Sequence, residues 1–125
     1  MNKNNVNATI AELNDFVKKF RVDRGWSKYN DPYDLAAALS VEAGEILELL
    51  LWGKDQDFRA IIADEPKLKE KLGEELVDVL TYVMVLADAI EIDLTKAFFA
   101  KMEKNAQKYP VVENGMTPRR KRWLE

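Results

Sequence analysis

Apolar side chains recur at helical spacing through most of the chain, and this feature constrains the fold more than any other. In the first such segment, Ile10, Leu13, Phe16, Val17 and Phe20 follow the three- and four-residue steps of one helix face. Sustained two-residue alternation, which is the pattern of half-buried strands, is nearly absent. We therefore predict an all-α protein built as a four- to five-helix bundle.

Capping residues and helix-breaking residues divide the chain into separate helices. Thr9 and Glu12 have the spacing of a capping box, which predicts the start of the first helix. Asp31 followed by Pro32 predicts the start of the second helix, because aspartate suits the N-cap and proline the first helical position. The predicted helices span residues 9–24, 31–51, 66–90 and 93–109, with a short helical turn at 58–62 in the long connection.

The composition restricts the chemistry that is open to the chain. The 125 residues fit one domain, and we predict a helical domain at residues 1–110 followed by an extended or partly disordered basic tail at 111–125. The sequence contains no cysteine and no histidine, which excludes disulfides, thiolate or imidazole metal sites and Ser-His-Asp triads. Any metal ion must therefore be held by oxygen ligands, which favours Mg²⁺, with Mn²⁺ as the second choice.

Charge and hydropathy indicate the surroundings in which the chain works. The formal net charge of −3 argues against a nucleic-acid-binding domain, although a metal ion can still neutralise the phosphates of a nucleotide. No apolar run approaches the ~20 residues that a membrane-spanning helix needs, and the polar N-terminus lacks the apolar core of a signal peptide. We expect a cytoplasmic protein with no nucleic-acid or membrane partner.

Two of the predicted helices carry a pair of acids on or beside the apolar stripe. Glu42 lies within the stripe of the second helix and Glu45 at its edge, while Glu75 and Asp78 repeat this arrangement on the third helix. A single pair at this spacing is usually part of a solvated charged helix, and Lys71 lies near enough to neutralise one acid. Two pairs that face the core favour a divalent cation between the helices, because burying ionised carboxylates without a partner is costly.

The segments around these acids resemble a known family. The sequences EAGE at residues 42–45 and ELVD at residues 75–78 are similar to the E-x-x-E … E-x-x-D signature of the MazG-like, all-α nucleoside triphosphate pyrophosphatases. Within that superfamily, the RGW segment at residues 24–26, Trp52 and the closing KMEKNAQKYP segment at residues 101–110 most resemble the small dCTP pyrophosphatase branch. The connection between the two acid motifs is toward the long end for the family.

The resemblance implies both an activity and an assembly. It implies a homodimer or a dimer of dimers (a homotetramer) that hydrolyses a nucleoside triphosphate to the monophosphate and pyrophosphate in nucleotide house-cleaning or pool control. The resemblance favours a deoxynucleotide as the substrate. It also implies that Glu42, Glu45, Glu75 and Asp78 bind Mg²⁺, which activates the attacking water. Glu45 is our candidate for the general base, because an edge position can reach water.

Aromatic, cationic and amide side chains are the candidates for substrate contacts. Stacking on an aromatic ring suits a nucleobase, and cations suit phosphates, although each of these residues also fits ordinary packing or a solvated helix face. A non-catalytic helical oligomer that acts as a regulatory or partner-binding module stays open as the alternative function. The substrate-binding candidates are Trp26, Trp52 and Tyr82 for the base, Lys54, Lys101 and Lys108 for the phosphates, and Asn105 for amide hydrogen bonds.

Overall fold

The computed structural model of the chain describes residues 2–53 and 55–111. All regular secondary structure in this part of the chain is helical, which confirms the all-α prediction. Of the tail predicted at residues 111–125, all but the first residue lies outside the described residues. The helices are α1 (Ile10–Asp23), α2 (Pro32–Leu49), α3 (Phe58–Asp64), α4 (Pro66–Ala89) and α5 (Leu94–Lys108), with a short 3₁₀ turn at Trp26–Lys28 between α1 and α2.

The ends of the helices follow from their capping residues. The Thr9 hydroxyl accepts a hydrogen bond from the Glu12 backbone N–H at 3.2 Å, and the Glu12 carboxylate accepts one from the Thr9 N–H at 2.8 Å, which completes the predicted capping box. Asp31 caps α2 ahead of Pro32, and Asp93 caps α5. For the four predicted helices, the observed ends therefore lie within two residues of the expected ones.

The connection between α2 and α4 holds more helix than the sequence predicted. We expected a short turn at residues 58–62, and the structure has a helix over Phe58–Asp64. The Asp57 carboxylate accepts hydrogen bonds from the backbone N–H groups of Arg59 and Ala60. This side chain satisfies two of the donors that a helix start leaves free, and so stabilises a helix too short to show a clear apolar period.

The chain divides into two compact units, the first ending at Ile92 and the second beginning at Asp93. Within the first unit α2 packs along α4 over the greatest length, and α1 and α3 also contact α4. No helix in the described ranges is both long and apolar enough to cross a membrane. The boundary predicted at residue 110, between the helical domain and the basic tail, stays a prediction. The most deeply buried apolar side chains that the structure describes are Leu35 on α2 and Met84, Val85 and Ala87 on α4.

Candidate metal centre and substrate pocket

Carboxylates from α2 and α4 converge on one point in the first unit. Glu42, Glu75 and Asp78 each contribute an oxygen, and the three oxygens all lie within 4.8 Å of one another. Glu42 comes from α2, whereas Glu75 and Asp78 stand one turn apart on α4. The two glutamates are half-buried and the aspartate is exposed. The packing of α2 on α4 therefore brings together acids that are far apart in the sequence.

Glu45, the fourth predicted ligand, stands beside this triad. Its carboxyl group lies near enough to those of Glu42 and Glu75 to raise the pKa of both. It is nevertheless not among the three acids whose oxygens lie within 4.8 Å of one another. The two observations agree if Glu45 flanks the triad from one turn further along α2. All four predicted carboxylates thus belong to one cluster, in which Glu45 is the peripheral member.

The cluster raises the pKa of two of its members. Partial burial raises the pKa of Glu42 above the ordinary value of 4.5, and the neighbouring Glu45 carboxyl group raises it further, with smaller effects from Asp78 and Glu75. The pKa of Glu75 is also raised, mainly by partial burial and then by Glu45 and Asp78. Every cause acts in the same direction, and none is a basic side chain. Lys71, considered above as a partner for one acid, is not among these causes, so the described residues supply no counter-charge to Glu42 or Glu75 that lowers the pKa.

The donor set of the cluster fits a magnesium ion. Mg²⁺ takes oxygen ligands at 2.0–2.1 Å, which places opposite ligands about 4.2 Å apart and adjacent ligands closer. Oxygens that already lie within 4.8 Å of one another need side-chain adjustments of less than about 1 Å to reach such a geometry. Carboxylates alone, without nitrogen or sulfur, also disfavour the softer transition metals.

A cavity of about 320 Å³ lies next to the acids in the same unit. Ala38 is one turn before Glu42 on the same face of α2, and Tyr82 is one turn after Asp78 on the same face of α4. Both residues line the cavity, which requires the two helices to run antiparallel. The cavity is therefore displaced by about 6 Å along both helix axes from the acid cluster.

Two of the predicted substrate-binding residues, Trp26 and Tyr82, line this cavity. The other lining residues were not predicted from the sequence, although Leu35 and Ala38 precede Glu42 by seven and four residues and so share its helix face. That spacing is a signal that could have found them. No comparable signal marks the residues from α1 and the following loop, since they reach the cavity through the tertiary fold. The missed lining residues are Arg21, Tyr29, Asp34, Leu35 and Ala38.

Trp52 lies just beyond the opposite end of α2 from this cavity. Its side chain is 91% exposed, and its backbone has φ of +67°, a left-handed conformation that is uncommon for residues other than glycine. The length of α2 between Leu35 and Leu49 is about 21 Å. Trp52 is not among the residues that line the cavity beside Trp26. The substrate-binding role of Trp52 stays a prediction.

The remaining predicted substrate contacts belong to other parts of the chain. Lys54 lies outside the described residues. Lys101, Asn105 and Lys108 follow the i, i+4, i+7 spacing of one face of α5, in the second unit. Asn105 is half-buried, and the Lys108 ammonium lies 5.5 Å from the centroid of the Tyr109 ring. Their role in substrate binding stays a prediction.

The sequence is similar to a known family and to proteins of known name. Residues 37–120 match the MazG-like family. The dCTP pyrophosphatase 1 of Rattus norvegicus is 37% identical over 103 residues, which are 82% of this chain and 60% of that protein. The Homo sapiens protein of the same name is 33% identical over 102 residues, which are 82% of this chain and 59% of that protein. The chain thus spans about 60% of the length of these curated relatives.

The fold is also similar to that of a solved structure. The crystal structure of a pyrophosphatase from Archaeoglobus fulgidus superposes with a TM-score of 0.74 and 36% sequence identity. The match covers 89% of this chain and 99% of that chain. The likeness therefore extends over nearly the whole of the solved structure.

Proposed function

The chain belongs to the MazG-like family, and we propose that it is a Mg²⁺-dependent nucleoside triphosphate pyrophosphohydrolase that forms a nucleoside monophosphate and pyrophosphate. The observation that carries this proposal is the convergence of acids from α2 and α4 without a basic partner. The names of the relatives support the reaction, and those of the rat and human proteins support dCTP as a substrate to test first. Pool control or house-cleaning is the role that we propose for the activity.

The acid cluster supplies the groups that this reaction needs. Glu42, Glu75 and Asp78 would hold the ion, and this proposal is supported by their close oxygens and by the raised pKa values of Glu42 and Glu75. When bound, Mg²⁺ supplies neutralising charge at the phosphates and lowers the pKa of a coordinated water. Glu45 flanks the triad and would accept the water proton on its carboxylate. The absence of histidine and cysteine leaves a carboxylate as the natural base.

The cavity beside the acids is the site that we propose for the nucleobase. Trp26 and Tyr82 on its walls provide rings on which any base can stack, so they favour binding without selecting the base. Selection requires hydrogen bonds to the base edge, for which Tyr29 and Asp34 are available. The offset of about 6 Å between cavity and acids leaves room for a sugar between the base and the α-phosphate.

We also propose that the chain works as a homo-oligomer, either a homodimer or a homotetramer. Large apolar side chains lie exposed on several helices, including Phe16 on α1, Leu47 on α2, and Leu76 and Val77 on α4. A helix that is apolar on more than one side favours a second packing partner. Sedimentation at micromolar concentration tests this proposal, since a monomer alone would contradict it.

Product analysis tests the proposed reaction. The purified protein is incubated with each canonical nucleoside and deoxynucleoside triphosphate in Mg²⁺ or in EDTA, and the products are separated by ion-exchange chromatography. Glu42→Gln and Asp78→Asn variants are compared with Glu48→Gln, which removes an exposed charge elsewhere on α2. We expect monophosphate and pyrophosphate from the wild type and from Glu48→Gln, and neither product in EDTA or from the two cluster variants.

Each other outcome has a distinct meaning. Diphosphate and phosphate as products would indicate attack at a different phosphorus and would rule out the proposed mechanism. If no nucleotide is hydrolysed and Mg²⁺ does not change the stability of the fold, the non-catalytic regulatory or partner-binding module is favoured. Equal activity of Glu42→Gln and Glu48→Gln would show that the acid cluster is not the reacting centre.

A further inference from the structure

We propose that Arg21 is a positioning residue for nucleobase binding. It attaches the loop that contains Trp26 and Tyr29 to the end of α1. This inference rests on the proposed function, since it assigns a role to one wall of the proposed base pocket. Arg21 lies in the last turn of α1 and is half-buried. It belongs neither to the acid cluster nor to the sequence motifs that identify the family.

Three hydrogen bonds connect the Arg21 guanidinium to the loop. The two N–H groups of its Nη2 are shared among three acceptors: the backbone carbonyl of Trp26 at 3.2 Å, that of Tyr29 at 3.1 Å and the Asn30 side-chain oxygen Oδ1 at 3.0 Å. Hydrogen bonds from a charged donor are stronger than those between neutral groups. A single side chain therefore holds the beginning and the end of the loop at once.

The loop has little regular structure of its own. It follows Gly25, whose φ of +68° turns the chain out of α1, and it contains only the short 3₁₀ turn, in which the Tyr29 N–H donates to the Trp26 carbonyl at 3.0 Å. The Trp26 ring also contacts Phe20 of α1 edge-on, with ring centroids 5.9 Å apart. The ring contact restrains one side chain, whereas Arg21 restrains the loop backbone at Trp26 and at Tyr29.

Arg21 can therefore affect substrate binding without contacting the reacting atoms. The cavity is lined by Arg21, Trp26 and Tyr29 on the loop side, while Ala38 and Tyr82 belong to the rigid α2 and α4 side. Releasing the loop would move its aromatic residues relative to that rigid side, which lowers affinity for the base. The acid cluster, one turn further along α2 and α4, would keep its geometry. The role is one of preorganisation, so it should change KM and leave kcat nearly unchanged.

The test compares Arg21→Gln and Arg21→Lys with Lys19→Gln, which removes an exposed positive charge from the same helix. For Arg21→Gln we expect KM to rise roughly tenfold for every nucleotide that the wild type hydrolyses, with kcat within about twofold, as for the loss of a charge-assisted hydrogen bond. Arg21→Lys keeps the charge without the guanidinium fork and should fall between the wild type and Arg21→Gln. Lys19→Gln should match the wild type.

Hydrogen exchange separates a failure of this inference from a failure of the proposed function. In Arg21→Gln, amide exchange should accelerate in residues 26–30 and stay unchanged in the segments of α2 and α4 that carry the acids. This measurement needs no substrate, so it remains decisive even if no nucleotide is hydrolysed. Should Arg21→Gln alone unfold, Arg21→Lys carries the same test.

Three results would overturn the inference. Unchanged exchange in the loop would show that Arg21 does not hold it. A fall in kcat at constant KM would place Arg21 with the reacting groups. A change in the ranking of the bases would make Arg21 a direct contact to the base edge, since a residue that acts through the loop backbone affects all bases alike.

Discussion

Replacing Asp78 with asparagine is expected to stabilise the metal-free protein and to destabilise the Mg²⁺-bound protein, relative to the wild type. The substitution keeps the size of the side chain and removes one charge from the triad. Without metal, the charge of Asp78 repels the Glu42 carboxylate, whose nearest oxygen lies within 4.8 Å. With metal, the same charge becomes a ligand. The sign of the effect should therefore reverse on adding Mg²⁺.

The size of the stabilisation follows from the spacing of the oxygens. Two unit charges 4.8 Å apart repel by about 0.9 kcal/mol in bulk water, and this is the relevant medium because Asp78 is exposed. Physiological salt, with a Debye length of about 8 Å, reduces the repulsion further. For the pair formed by Asp78 and Glu42 we therefore expect a gain of about 0.5–0.9 kcal/mol in EDTA at low salt, and repulsion from Glu75 acts in the same direction.

The cost in the presence of metal follows from linkage. An ion that binds only the folded state stabilises it by about 2.7 kcal/mol at a hundred times its dissociation constant. If loss of one carboxylate weakens Mg²⁺ binding tenfold, this stabilisation falls by about 1.4 kcal/mol, which exceeds the gain from reduced repulsion. Asp78→Asn should then be the less stable protein in Mg²⁺.

Urea denaturation of the wild type, Asp78→Asn and the control Glu48→Gln, each in EDTA and in excess Mg²⁺, measures all of these differences. Glu48 is exposed on α2 and does not belong to the cluster, so its variant should follow the wild type under both conditions. Equal stability of Asp78→Asn and the wild type in both buffers would refute the reasoning, because it would show that the carboxylates are too well solvated to repel each other or to bind an ion.

The remaining predictions concern pH, close packing and capping. Glu42 and Glu75 have a raised pKa in the folded state, so their contribution to metal-free stability is complete below pH 4.5 and is lost as the pH rises through the raised values. Urea titrations in EDTA should therefore show a free energy of unfolding that falls with pH in this range. The fall should be smaller when both residues are replaced with glutamine. Gly53→Ala should destabilise the fold by about 1–3 kcal/mol because the added Cβ would overlap a neighbouring aromatic ring, whereas Gly73→Ala, with open space inside α4, should stabilise it by about 0.5–1 kcal/mol, both measured by urea denaturation. Thr9→Ala removes the side-chain cap of α1 and should lower the melting temperature through a loss of about 1 kcal/mol.

The helices and the position of the acids could be predicted from the sequence because both depend on local rules. Thr9, Asp31 and Asp93 cap helices by satisfying backbone donors within three residues, so their effect is visible in a short window. The face on which Glu42 or Glu75 lies depends only on the 3.6-residue period and the apolar residues nearby. That these faces meet follows from the same argument, because each helix buries its apolar stripe.

The loop wall of the pocket could not be predicted, because its contacts are neither local nor periodic. Arg21 reaches Tyr29 and Asn30 across the end of α1, and nothing in its position on the helix distinguishes it from Lys19 or Arg24. The placement of Trp52 away from Trp26 was, in contrast, implied by the length of α2. Trp26 precedes α2 and Trp52 follows it, and this helix is about 27 Å long over its 18 residues.

The antiparallel packing of α2 on α4 determines where insertions and deletions can be tolerated. The acids and the pocket keep their relative positions as long as the residue count inside each helix is constant, because one added residue rotates the rest of the helix by about 100°. An insertion between Ala38 and Glu42 would turn the pocket and the acids onto different faces. The connection between α2 and α4 lies outside both helices, so residues added there do not rotate either face, and doubling the length of a loop costs only about 0.6 kcal/mol in closure entropy. Length variation among homologous chains should therefore concentrate between α2 and α4, and this is where new substrate contacts can be added without disturbing the metal centre.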